Sequence, residues 1–366
     1  MGDQRLRVGL LFGGRSGEHE VSLRSARSIL SAIDREKYEV VLIGITKEGV
    51  WVVGPAAQAL LDGASPSAAT GVLVGLAPTE QRLLLRTPDG QPAAPPIDVV
   101  FPILHGPYGE DGTVQGLLDL ANVPYVGAGV LASAVGMDKA VMKSLFRAHG
   151  LPVVDFLVFL ASDWAAQPAA VAAQIADRLG YPCFVKPANL GSSVGVSRVT
   201  APDELGPAMD LAAAYDRKIV VEAACQSCRE IECSVLGNDA PEASVPGEVV
   251  PRSDFYDYAA KYQRDDTALL IPAPLTAEQV QTVQRLAIAA FRAIDCAGLA
   301  RVDFFLTPDG RFFVNEINTL PGFTQVSMYP KLWEASGLPY PALIDRLITL
   351  ARERHAARNR LRTTYR

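Results

Sequence analysis

Apolar runs and helix-like spacing alternate along the first part of the chain. Residues 7–12 form an apolar run before a double glycine, residues 22–33 repeat apolar side chains at helical spacing, and a second apolar run follows at 40–45. A strand, a helix and a strand in this order predict a β-α-β unit and therefore a parallel sheet. The Ala-, Gly- and Pro-rich residues 47–96 predict inserted short strands and loops, before a further strand at 97–104.

The rest of the chain mixes helices and strands in a less regular order. Apolar residues at helical spacing predict helices at 114–120, at 137–149 with Asp138 in the first turn, and at 169–179, 277–294 and 340–354. Runs of apolar residues bounded by turn residues predict strands at 183–186, 219–223, 231–236, 243–250, 300–306 and 311–318. A first domain is expected to end near residues 121–130 and a second near residues 219–223.

The last two of these strands form a hairpin, and it carries the clearest chemical signal in the sequence. Around the turn at 308–310, pairing sets Asp303 opposite Glu316 and Arg301 opposite Asn318. All four side chains then share one face, because residues two apart in a strand point to the same side. The opposite face is predicted to enter the core and carries Val302, Phe304, Phe313 and Ile317.

The facing carboxylates of this hairpin need an explanation. Two carboxylates directly opposite one another on neighbouring strands are unfavourable. A cation between Asp303 and Glu316 would remove that cost. Two carboxylates with an amide oxygen suit a hard ion such as Mg²⁺, with phosphate oxygens and water completing the shell. The alternative is a solvated polar face with an Arg–Asp ion pair, and a one-residue change of register would remove the metal interpretation.

Two glycine-rich loops and a tyrosine-rich segment are candidate binding elements. Residues 190–195 follow Lys186, and glycines there let backbone N–H groups approach an anion, although a plain hairpin turn is the alternative. Residues 13–17 match no dinucleotide fingerprint, and Glu18 beside them favours recognition of an amine over a phosphate. Residues 255–262, with three tyrosines and a lysine, predict either an active-site lid or packing against the neighbouring strand.

Composition narrows the class of protein without assigning a function. The 366 residues are 49% hydrophobic and 20% charged, which is typical of a globular protein. Lys and Arg number 34 against 40 Asp and Glu, and the net charge of −6 argues against a nucleic-acid partner. No apolar run has the length of a transmembrane helix and no signal peptide is recognisable, so we expect a cytoplasmic protein without a membrane partner. The arginine-rich residues 351–366 are expected to be a frayed helix end.

The five cysteines do not predict a disulfide-stabilised fold. An odd count in a chain of this length is not typical of a disulfide framework. Cys225 and Cys228 form a CxxC pair, but a second CxxC is missing and no histidine follows at the spacing of a metal ligand. We therefore expect reduced thiols at both positions, without a metal or redox role.

Seven segments together identify a family resemblance. GGRSGEHEVS, LHGPYGEDGTVQG, VGMDKAVMK, FVKPANLGSSVGVS, FYDYAAKY, RVDFF and NEINTLPGFTQVSMYPKLW occur in the order seen in D-alanine–D-alanine ligases. The chain resembles that family from about residue 7 to about residue 350. The resemblance implies the ATP-grasp fold, of mixed α/β and α+β class. An N-terminal α/β domain over 1–125 would precede two α+β subdomains, over 126–220 and 221–366, that hold ATP between them.

The resemblance also implies an activity and its cofactors. Two D-alanine molecules would be joined through an acyl phosphate, with ATP as the phosphoryl donor, for peptidoglycan precursor synthesis. A homodimer is expected. Two Mg²⁺ or Mn²⁺ ions would be held by Asp303, Glu316 and Asn318. Contacts to ATP would come from Lys139, Lys186, Ser193, Glu222, Glu230 and Lys261.

The residues that the resemblance assigns to the substrates form a second group. Glu18 would bind the ammonium of the first D-alanine, and Ser192 and Tyr262 would form a hydrogen-bonded set with it. Arg301 and the backbone of Gly322 would stabilise the tetrahedral intermediate. The carboxylate of the second D-alanine would be bound by Ser327, with two further residues nearby, His105 and Glu110.

Two rival functions share most of these motifs. D-Alanine–D-lactate ligases resemble this chain but lack the lid tyrosine that matches Tyr262, so its presence favours an amine nucleophile. A non-catalytic ATP-binding sensor on the same fold would not need the full set of lysine, arginine and carboxylate residues. One departure from the family lies at Ala223 and Ala224, which follow Glu222 where many relatives carry a lysine or a bulky residue.

Overall fold

The N-terminal part of the protein is built on a mainly parallel sheet. The computed structural model describes residues 5–250 and 268–362. Its first sheet has the order β3-β2-β1-β6, in which β1 pairs in parallel with β2 and β6 and β3 runs antiparallel to β2. The predicted β-α-β unit is confirmed. The elements are β1 (Leu6–Gly13), α1 (His19–Ala32), β2 (Tyr38–Ile45), β3 (Trp51–Val53), α2 (Gly54–Leu61), β4 (Leu73–Ala77), β5 (Arg82–Arg86) and β6 (Val99–Pro102).

The stretch between β2 and β6 is an insertion, as predicted, with one difference. β4 and β5 pair as a separate two-stranded antiparallel sheet, and β3 extends the first sheet. The prediction of short strands and loops missed α2. This helix begins at Gly54 with a proline at its first turn, where the missing N–H costs nothing, and buries Ala57, Leu60 and Leu61. Packing of this short apolar face stabilises a helix that sequence spacing alone does not reveal.

The central part of the chain forms a fully antiparallel sheet with the order β7-β10-β8-β9. Strands predicted at 183–186 and 219–223 are confirmed. The elements from the end of the first sheet onward are α3 (Thr113–Leu120), α4 (Val130–Met137), α5 (Lys139–Ala148), β7 (Phe156–Leu160), α6 (Ala161–Ala166), α7 (Pro168–Arg178), β8 (Cys183–Pro187), β9 (Ser197–Val199), α8 (Leu205–Tyr215) and β10 (Lys218–Ala223).

Asp138 separates two helices, whereas the sequence predicted one helix that begins at residue 137. α4 ends at Met137 and α5 begins at Lys139, so Asp138 is the N-cap of α5 and does not lie in a first turn. Its carboxylate accepts hydrogen bonds from the backbone N–H groups of Ala140 and Val141, each at 3.1 Å. A carboxylate in this position satisfies N–H groups that have no partner within the helix. The cap therefore sets where Lys139 leaves the backbone.

The third sheet is antiparallel, with the order β14-β13-β11-β15-β16, and β12 pairs with β11. Pro246, which lacks a backbone N–H, divides the strand predicted at 243–250 into β12 and β13. The elements are β11 (Arg229–Gly237), β12 (Glu242–Ala243), β13 (Gly247–Val250), β14 (Ala268–Leu270), α9 (Ala277–Ala293), β15 (Gly298–Leu306), β16 (Phe312–Asn318), α10 (Met328–Ala335) and α11 (Tyr340–Asn359).

The hairpin of β15 and β16 keeps the predicted register only at its inner end. Arg301 pairs with Asn318 and Asp303 pairs with Glu316, as predicted, but a bulge follows and sets Phe304 opposite Val314. The extra residue reverses the alternation of β16 beyond the bulge. The prediction that Phe313 faces the core is therefore wrong. Phe313 is half-buried, whereas the residues immediately before and after it, Phe312 and Val314, are buried.

The C-terminal helix α11 returns to the first sheet and closes the molecule. Leu343, Ile344 and Leu347 join the same buried cluster as Phe12 and Phe101 of the first sheet. Burial of such apolar side chains is the main favourable contribution to folding. The C-terminal helix therefore packs against the N-terminal sheet.

The expected frayed end is not observed over the described part of the tail. Arg354 donates to the backbone carbonyls of Tyr125, at 3.1 Å, and Gly127. Arg358 forms an ion pair with Asp119. These contacts hold α11 in place to Asn359, because arginine has enough donors to bind several carbonyl and carboxylate oxygens at once.

The oxidation state of one pair of cysteines differs from the prediction. Cys225 and Cys228 form a disulfide, so the prediction of reduced thiols there is wrong. A CxxC spacing allows the two Cα atoms to approach to 5.8 Å, within the range that a disulfide spans. The remaining three cysteines are free and buried: Cys183, Cys233 and Cys296. Over residues 5–250 and 268–362, no helix combines the length and the apolar character that crossing a bilayer requires.

Candidate active site

A cavity of about 660 Å³ opens between the second and third sheets. This volume is within the usual range for sites that hold a small molecule or cofactor. Its lining joins residues of the second sheet with residues of the hairpin and of the two helices that precede the second sheet, α4 and α5. Ten of the predicted site residues are described by the structure and lie in or beside it: Glu18, Glu110, Lys139, Lys186, Ser192, Ser193, Glu222, Glu230, Glu316 and Asn318.

One wall of the cavity carries the polar face of the third sheet. We call this set the hairpin cluster: Glu232, Arg301, Asp303, Glu316 and Asn318. The guanidinium of Arg301 donates to both oxygens of Asp303, at 2.7 and 2.6 Å, and lies 2.9 Å from a carboxylate oxygen of Glu232. Asn318 donates to Asp303 at 3.0 Å. The four predicted side chains therefore share one face, and β11 adds Glu232 to them.

Charge within the hairpin cluster is unevenly balanced. Glu232 pairs with Asp303 across β11 and β15, and Asp303 pairs with Glu316 across β15 and β16, so three carboxylates lie in a row across three strands. Burial lowers the pKa of Arg301, but Asp303 and Glu232 outweigh it, and the net shift is upward. Arg301 is therefore a permanent cation here, and among the described residues it is joined by Lys139, 3.6 Å from Glu316.

The hairpin cluster offers donors of the type that a hard divalent cation prefers. Asp303, Glu316 and Asn318 present only oxygen ligands, with no sulfur or imidazole, which suits Mg²⁺ or Mn²⁺. No three His, Cys, Asp or Glu side chains are grouped as a closed metal site in the parts of the chain that the structure describes. Such an open set matches a magnesium ion that keeps water and substrate phosphates in its shell. The residues therefore fit the ion.

The opposite wall of the cavity carries cations. We call a second set the lysine cluster: Lys143, Lys186 and Glu222. Lys186 lies 2.7 Å from one oxygen of Glu222 and Lys143 lies 3.3 Å from the other. Burial raises the pKa of Glu222, but the charges of the two lysines outweigh it and the net shift is downward. A carboxylate held ionised between two lysines leaves this wall with an excess of positive charge.

Lys143 is a residue that the sequence analysis missed. Its side chain is fully buried, and burial is the main reason that its pKa is lowered. A buried ammonium is found only where it is paired. The sequence contains one signal for it, because Lys143 follows Lys139 by four residues and therefore lies on the same side of α5. Glu232 carried no such signal, since only the pairing of β11 with β15 brings it to the site.

Lys139 lies between the two walls. Its ammonium donates to the backbone carbonyl of Leu190 at 2.7 Å and lies 3.6 Å from Glu316. Leu190 begins the loop predicted to approach an anion. In that loop Ser192 and Ser193 have positive φ angles of 51° and 59°, which non-glycine residues adopt rarely and mostly where local structure holds them. The unusual backbone of the loop therefore involves serines, not only its glycines.

Glu18 contacts the same loop from the first sheet. Its carboxylate accepts a hydrogen bond from the hydroxyl of Ser192, which is the predicted contact between the two residues. A Cβ atom at Gly106 would come within 2.8 Å of Glu18 and one at Gly191 within 3.1 Å, so both loops close on the carboxylate. Glu18 follows the Gly13–Gly14 turn, where a Cβ at Gly13 would come 2.1 Å from the carbonyl of Ile45. Only glycine fits there, and it directs the chain toward the cavity.

His105 and Glu110 form a buried pair beside Glu18. The Nδ1 atom of His105 lies 3.4 Å from the Glu110 carboxylate and 3.1 Å from the carbonyl of Leu320. Burial raises the pKa of Glu110 to about 6, and the charge of Glu18 adds to the shift. Burial lowers the pKa of His105, but Glu110 outweighs it and the net shift is upward. This end of the site therefore gathers two carboxylates, which suits a positively charged group.

The segment after β16 is held against α1. The backbone N–H of Phe323 donates to Ser25 at 3.4 Å, and the N–H of Gln325 donates to Ser28 at 3.1 Å. Phe323 packs in the core against Tyr340, with ring centroids 5.4 Å apart. Gly322 and Ser327 lie close to one another, because a Cβ at Gly322 would come 3.3 Å from the Ser327 hydroxyl. Both predicted residues therefore belong to one anchored loop.

Two predicted site residues, Lys261 and Tyr262, lie outside the described residues. The segment predicted as a lid, 255–262, therefore has no structural outcome. The roles assigned to the individual site residues and the domain limits at 125 and 220 likewise stay predictions. What the structure does establish is proximity. Glu316 and Asn318 of the hairpin cluster and Lys186 and Glu222 of the lysine cluster border one cavity, and so does the loop at 190–195, which we call the serine loop.

Comparison with known sequences agrees with this arrangement. A family model described as the D-ala D-ala ligase N-terminus matches residues 7–128, and one described as the D-ala D-ala ligase C-terminus matches residues 145–349. The D-alanine–D-alanine ligase of Heliobacterium modesticaldum is 53% identical over 355 residues, or 96% of each chain. That of Geobacillus thermodenitrificans is 50% identical over 365 residues, or 99% of each chain.

Solved structures lead to the same family. The D-alanine-D-alanine ligase from Coxiella burnetii has a TM-score of 0.84 and 39% identity, covering 97% of this chain and 96% of its own. The VanG D-Ala:D-Ser ligase from Enterococcus faecalis has a TM-score of 0.84 and 34% identity, covering 95% and 100%. The expected ATP-grasp fold is confirmed by this similarity. The chain belongs to the D-alanine–D-alanine ligase family.

Proposed function

We propose that this protein joins two D-alanine molecules into D-alanyl-D-alanine, with cleavage of ATP to ADP and phosphate, as a step in peptidoglycan precursor synthesis. The observation that carries the proposal is the shared cavity. Glu316 and Asn318 of the hairpin cluster line the same volume as Lys139 and Lys186, and Ser192 borders it. Oxygen ligands opposite lysines are what a magnesium-bound polyphosphate requires.

ATP would lie along the cavity between the two sheets. Lys139 and Lys186 would contact its phosphates, with Ser193 of the serine loop and Lys261 beside them. Glu222 and Glu230, at the far end, would contact the ribose and the base. Asp303, Glu316 and Asn318 would hold two Mg²⁺ or Mn²⁺ ions, which neutralise charge on the transferring phosphoryl group.

The two D-alanine molecules would lie at the end of the cavity nearest α1. Glu18 would bind the ammonium of the first, and the hydroxyl of Ser192 would hold the Glu18 carboxylate in position. Ser327 would bind the carboxylate of the second, with His105 and Glu110 nearby. The carboxylates of Glu18 and Glu110 suit the ammonium group of D-alanine, because opposite charges attract most strongly where the site excludes water.

The chemistry needs two steps because a carboxylate is a poor electrophile. Transfer of the γ-phosphoryl group of ATP to the carboxylate of the first D-alanine gives an acyl phosphate and ADP. The amine of the second D-alanine then attacks the acyl carbon, and phosphate leaves. Arg301 and the backbone N–H of Gly322 would stabilise the oxyanion of the tetrahedral intermediate. Correct positioning of the reactants supplies much of the acceleration.

Water must be kept from the acyl phosphate. The serine loop at 190–195 already contacts Glu18, and Tyr262 in the tyrosine segment would add to this set. Closure of such loops over a reactive intermediate prevents its hydrolysis.

We further propose that the protein is cytoplasmic, where ATP is available, and that it forms a homodimer. Light scattering coupled to gel filtration would measure the mass, and a monomer at micromolar concentration would contradict the dimer.

One assay tests the proposed reaction. Purified protein with ATP and Mg²⁺ should release phosphate only when D-alanine is present, and chromatography should detect D-alanyl-D-alanine in equal amount. L-Alanine is the matched control and should give no phosphate. D-Lactate in place of the second D-alanine should react poorly at neutral pH. Phosphate release without D-alanine would contradict the proposal, and comparable turnover of D-lactate would favour a depsipeptide ligase.

A further inference from the structure

The CxxC motif lies in the wall of the cavity. Residues 224–228 connect β10, which carries Glu222, to β11, which carries Glu230. All five residues of this connection line the cavity, together with Glu222 and Glu230. The disulfide between Cys225 and Cys228 therefore closes a short loop in the part of the cavity wall that lies between Glu222 and Glu230.

The two cysteines differ from the other three in their access to solvent. Cys225 and Cys228 are half-buried, and the two residues between them, Gln226 and Ser227, are exposed. The free cysteines lie in the core, where burial raises the pKa of Cys183 to about 11 and those of Cys233 and Cys296 to about 12. Thiols that stay protonated and buried are inert. Within the described chain, reagents in solution can therefore reach only the Cys225–Cys228 pair.

The conformation of the loop at 224–228 depends on the disulfide that closes it. Ser227 has a φ of 55°, a left-handed conformation that is unfavourable for a serine without a local constraint. It lies immediately before Cys228, so the disulfide holds the chain reversal. Opening the bond would return conformational freedom to residues that border the cavity, because a cross-link restricts the chain segment that it closes.

We propose that Cys225 and Cys228 form a reversible thiol–disulfide site that controls the shape of the cavity wall at the nucleotide base. The oxidant is a small-molecule or protein disulfide, and the reductant is a dithiol. Two thiols of the protein and one disulfide give the Cys225–Cys228 bond and two thiols of the oxidant. The bond at the cysteines forms as the sulfur–sulfur bond of the oxidant breaks, and two protons pass to the released thiolates.

This inference rests on the proposed function in one respect, the position of the base near Glu222 and Glu230. The oxidised loop is preorganised for the nucleotide, whereas the reduced loop must be ordered when the nucleotide binds. Ordering one side chain on binding weakens affinity by about threefold to tenfold. We expect the KM for ATP to rise by that factor on reduction. The KM for D-alanine and kcat should change by less than about twofold.

Alkylation followed by mass spectrometry tests the site itself. Protein prepared without reductant should take up no alkyl groups under native conditions, and dithiothreitol should expose two sites, Cys225 and Cys228. After reduction and removal of dithiothreitol, ADP without metal should slow their alkylation, which reports nucleotide contact independently of activity. Two alkylated cysteines before reduction would overturn the disulfide, and unchanged alkylation with saturating ADP would overturn its place in the nucleotide wall.

Kinetics with two variants test the coupling. The double variant Cys225→Ser with Cys228→Ser should show the raised KM for ATP permanently and should not respond to dithiothreitol. Gln226→Ala, which keeps both cysteines in the same loop, should respond by the same factor as the unchanged protein. An equal response in the double variant would overturn the inference. Absence of ligation in every form would instead contradict the proposed function, while the alkylation result would still decide the thiol–disulfide site.

Discussion

The two walls of the cavity combine the same types of charge in opposite proportions. Among the described residues, the hairpin cluster sets three carboxylates against Arg301 and Lys139, so negative charge is in excess. The lysine cluster sets two lysines against Glu222, so positive charge is in excess. The first wall suits metal cations and the second suits phosphate anions. A single cavity can therefore suit both a nucleotide and a divalent metal although the whole chain carries a net charge of −6.

The largest expected effect comes from removing one charge of the hairpin cluster. Glu316→Gln should lower kcat by at least about 100-fold, since a charge that stabilises the transferring group is lost. The free energy of unfolding should stay the same or rise, because Asp303 then faces one carboxylate, that of Glu232, instead of two. Steady-state kinetics at rising Mg²⁺ and urea unfolding measure the two effects.

The control for that variant lies at the turn of the same hairpin. Asp309 is exposed and pairs with Arg311, so Asp309→Asn should change kcat by less than about twofold because exposed ion pairs contribute little. Unchanged activity of Glu316→Gln at saturating Mg²⁺ would show that the excess of carboxylates in the hairpin cluster is not needed to bind a metal ion.

Removal of one cation from the lysine cluster should act mainly on stability. Lys143→Met should lower the free energy of unfolding by about 3 kcal/mol, because Glu222 is left buried with one partner. Lys143→Met combined with Glu222→Gln should recover part of that loss, since no fully buried charge is then unbalanced and Lys186, which loses its partner, is partly exposed. Urea unfolding followed by circular dichroism measures both variants.

An exposed ion pair provides the comparison for Lys143. Lys37 pairs with Asp345 at the surface, so Lys37→Met should change the free energy of unfolding by no more than about 1 kcal/mol. Equal losses at Lys37 and Lys143 would contradict a special role for the buried cluster.

A smaller effect is expected where the serine loop reaches the first sheet. Ser192→Ala removes the donor to Glu18 and should reduce kcat/KM for D-alanine by about tenfold, the usual contribution of a hydrogen bond to a charged group. The KM for ATP should change little. Ser31→Ala, on the exposed side of α1, is the matched control and should behave as the unchanged protein. An equally large rise of the KM for ATP in Ser192→Ala would show that Ser192 contacts the phosphates of ATP instead.

The smallest effect concerns pH. Because the pKa of Glu110 is raised to about 6, this carboxyl binds a proton as the pH falls from 7 to 5, and negative charge beside Glu18 is lost. The KM for D-alanine should therefore rise a few-fold below about pH 6. His105 titrates with Glu110, so the profile reports the pair. Glu110→Gln should remove this step, and a step of unchanged size and position in that variant would exclude Glu110 as its origin.

Local pattern predicted much of the fold, and most of the predicted site residues that the structure describes lie together in or beside one cavity. The β-α-β unit followed from two short apolar runs on either side of a segment with helical spacing, and this spacing arises from backbone geometry alone. The pairing of Asp303 with Glu316 followed from the turn between their strands. The bulge beyond Asp303 did not, because a bulge adds a residue without leaving a signature in the polar pattern of the strand.

Other errors arose where a contact leaves no trace in the periodicity of the chain. The frayed tail was wrong because carbonyls of Tyr125 and Gly127, far away along the chain, bind Arg354. The reduced thiols were wrong because the approach of Cys225 and Cys228 depends on the turn between β10 and β11. Neither contact has a periodicity that a single segment could display.

The sequence by itself determined the family, the first β-α-β unit and the polar face of the hairpin, because motifs, periodicity and a tight turn are local properties of the chain. Only the tertiary structure decided the charge balance of the two walls. Glu232 joins the hairpin cluster through strand pairing, and Lys143 reaches Glu222 through the packing of α5 against the second sheet. Electrostatic interactions depend on distance and burial, and both quantities exist only once the chain has folded.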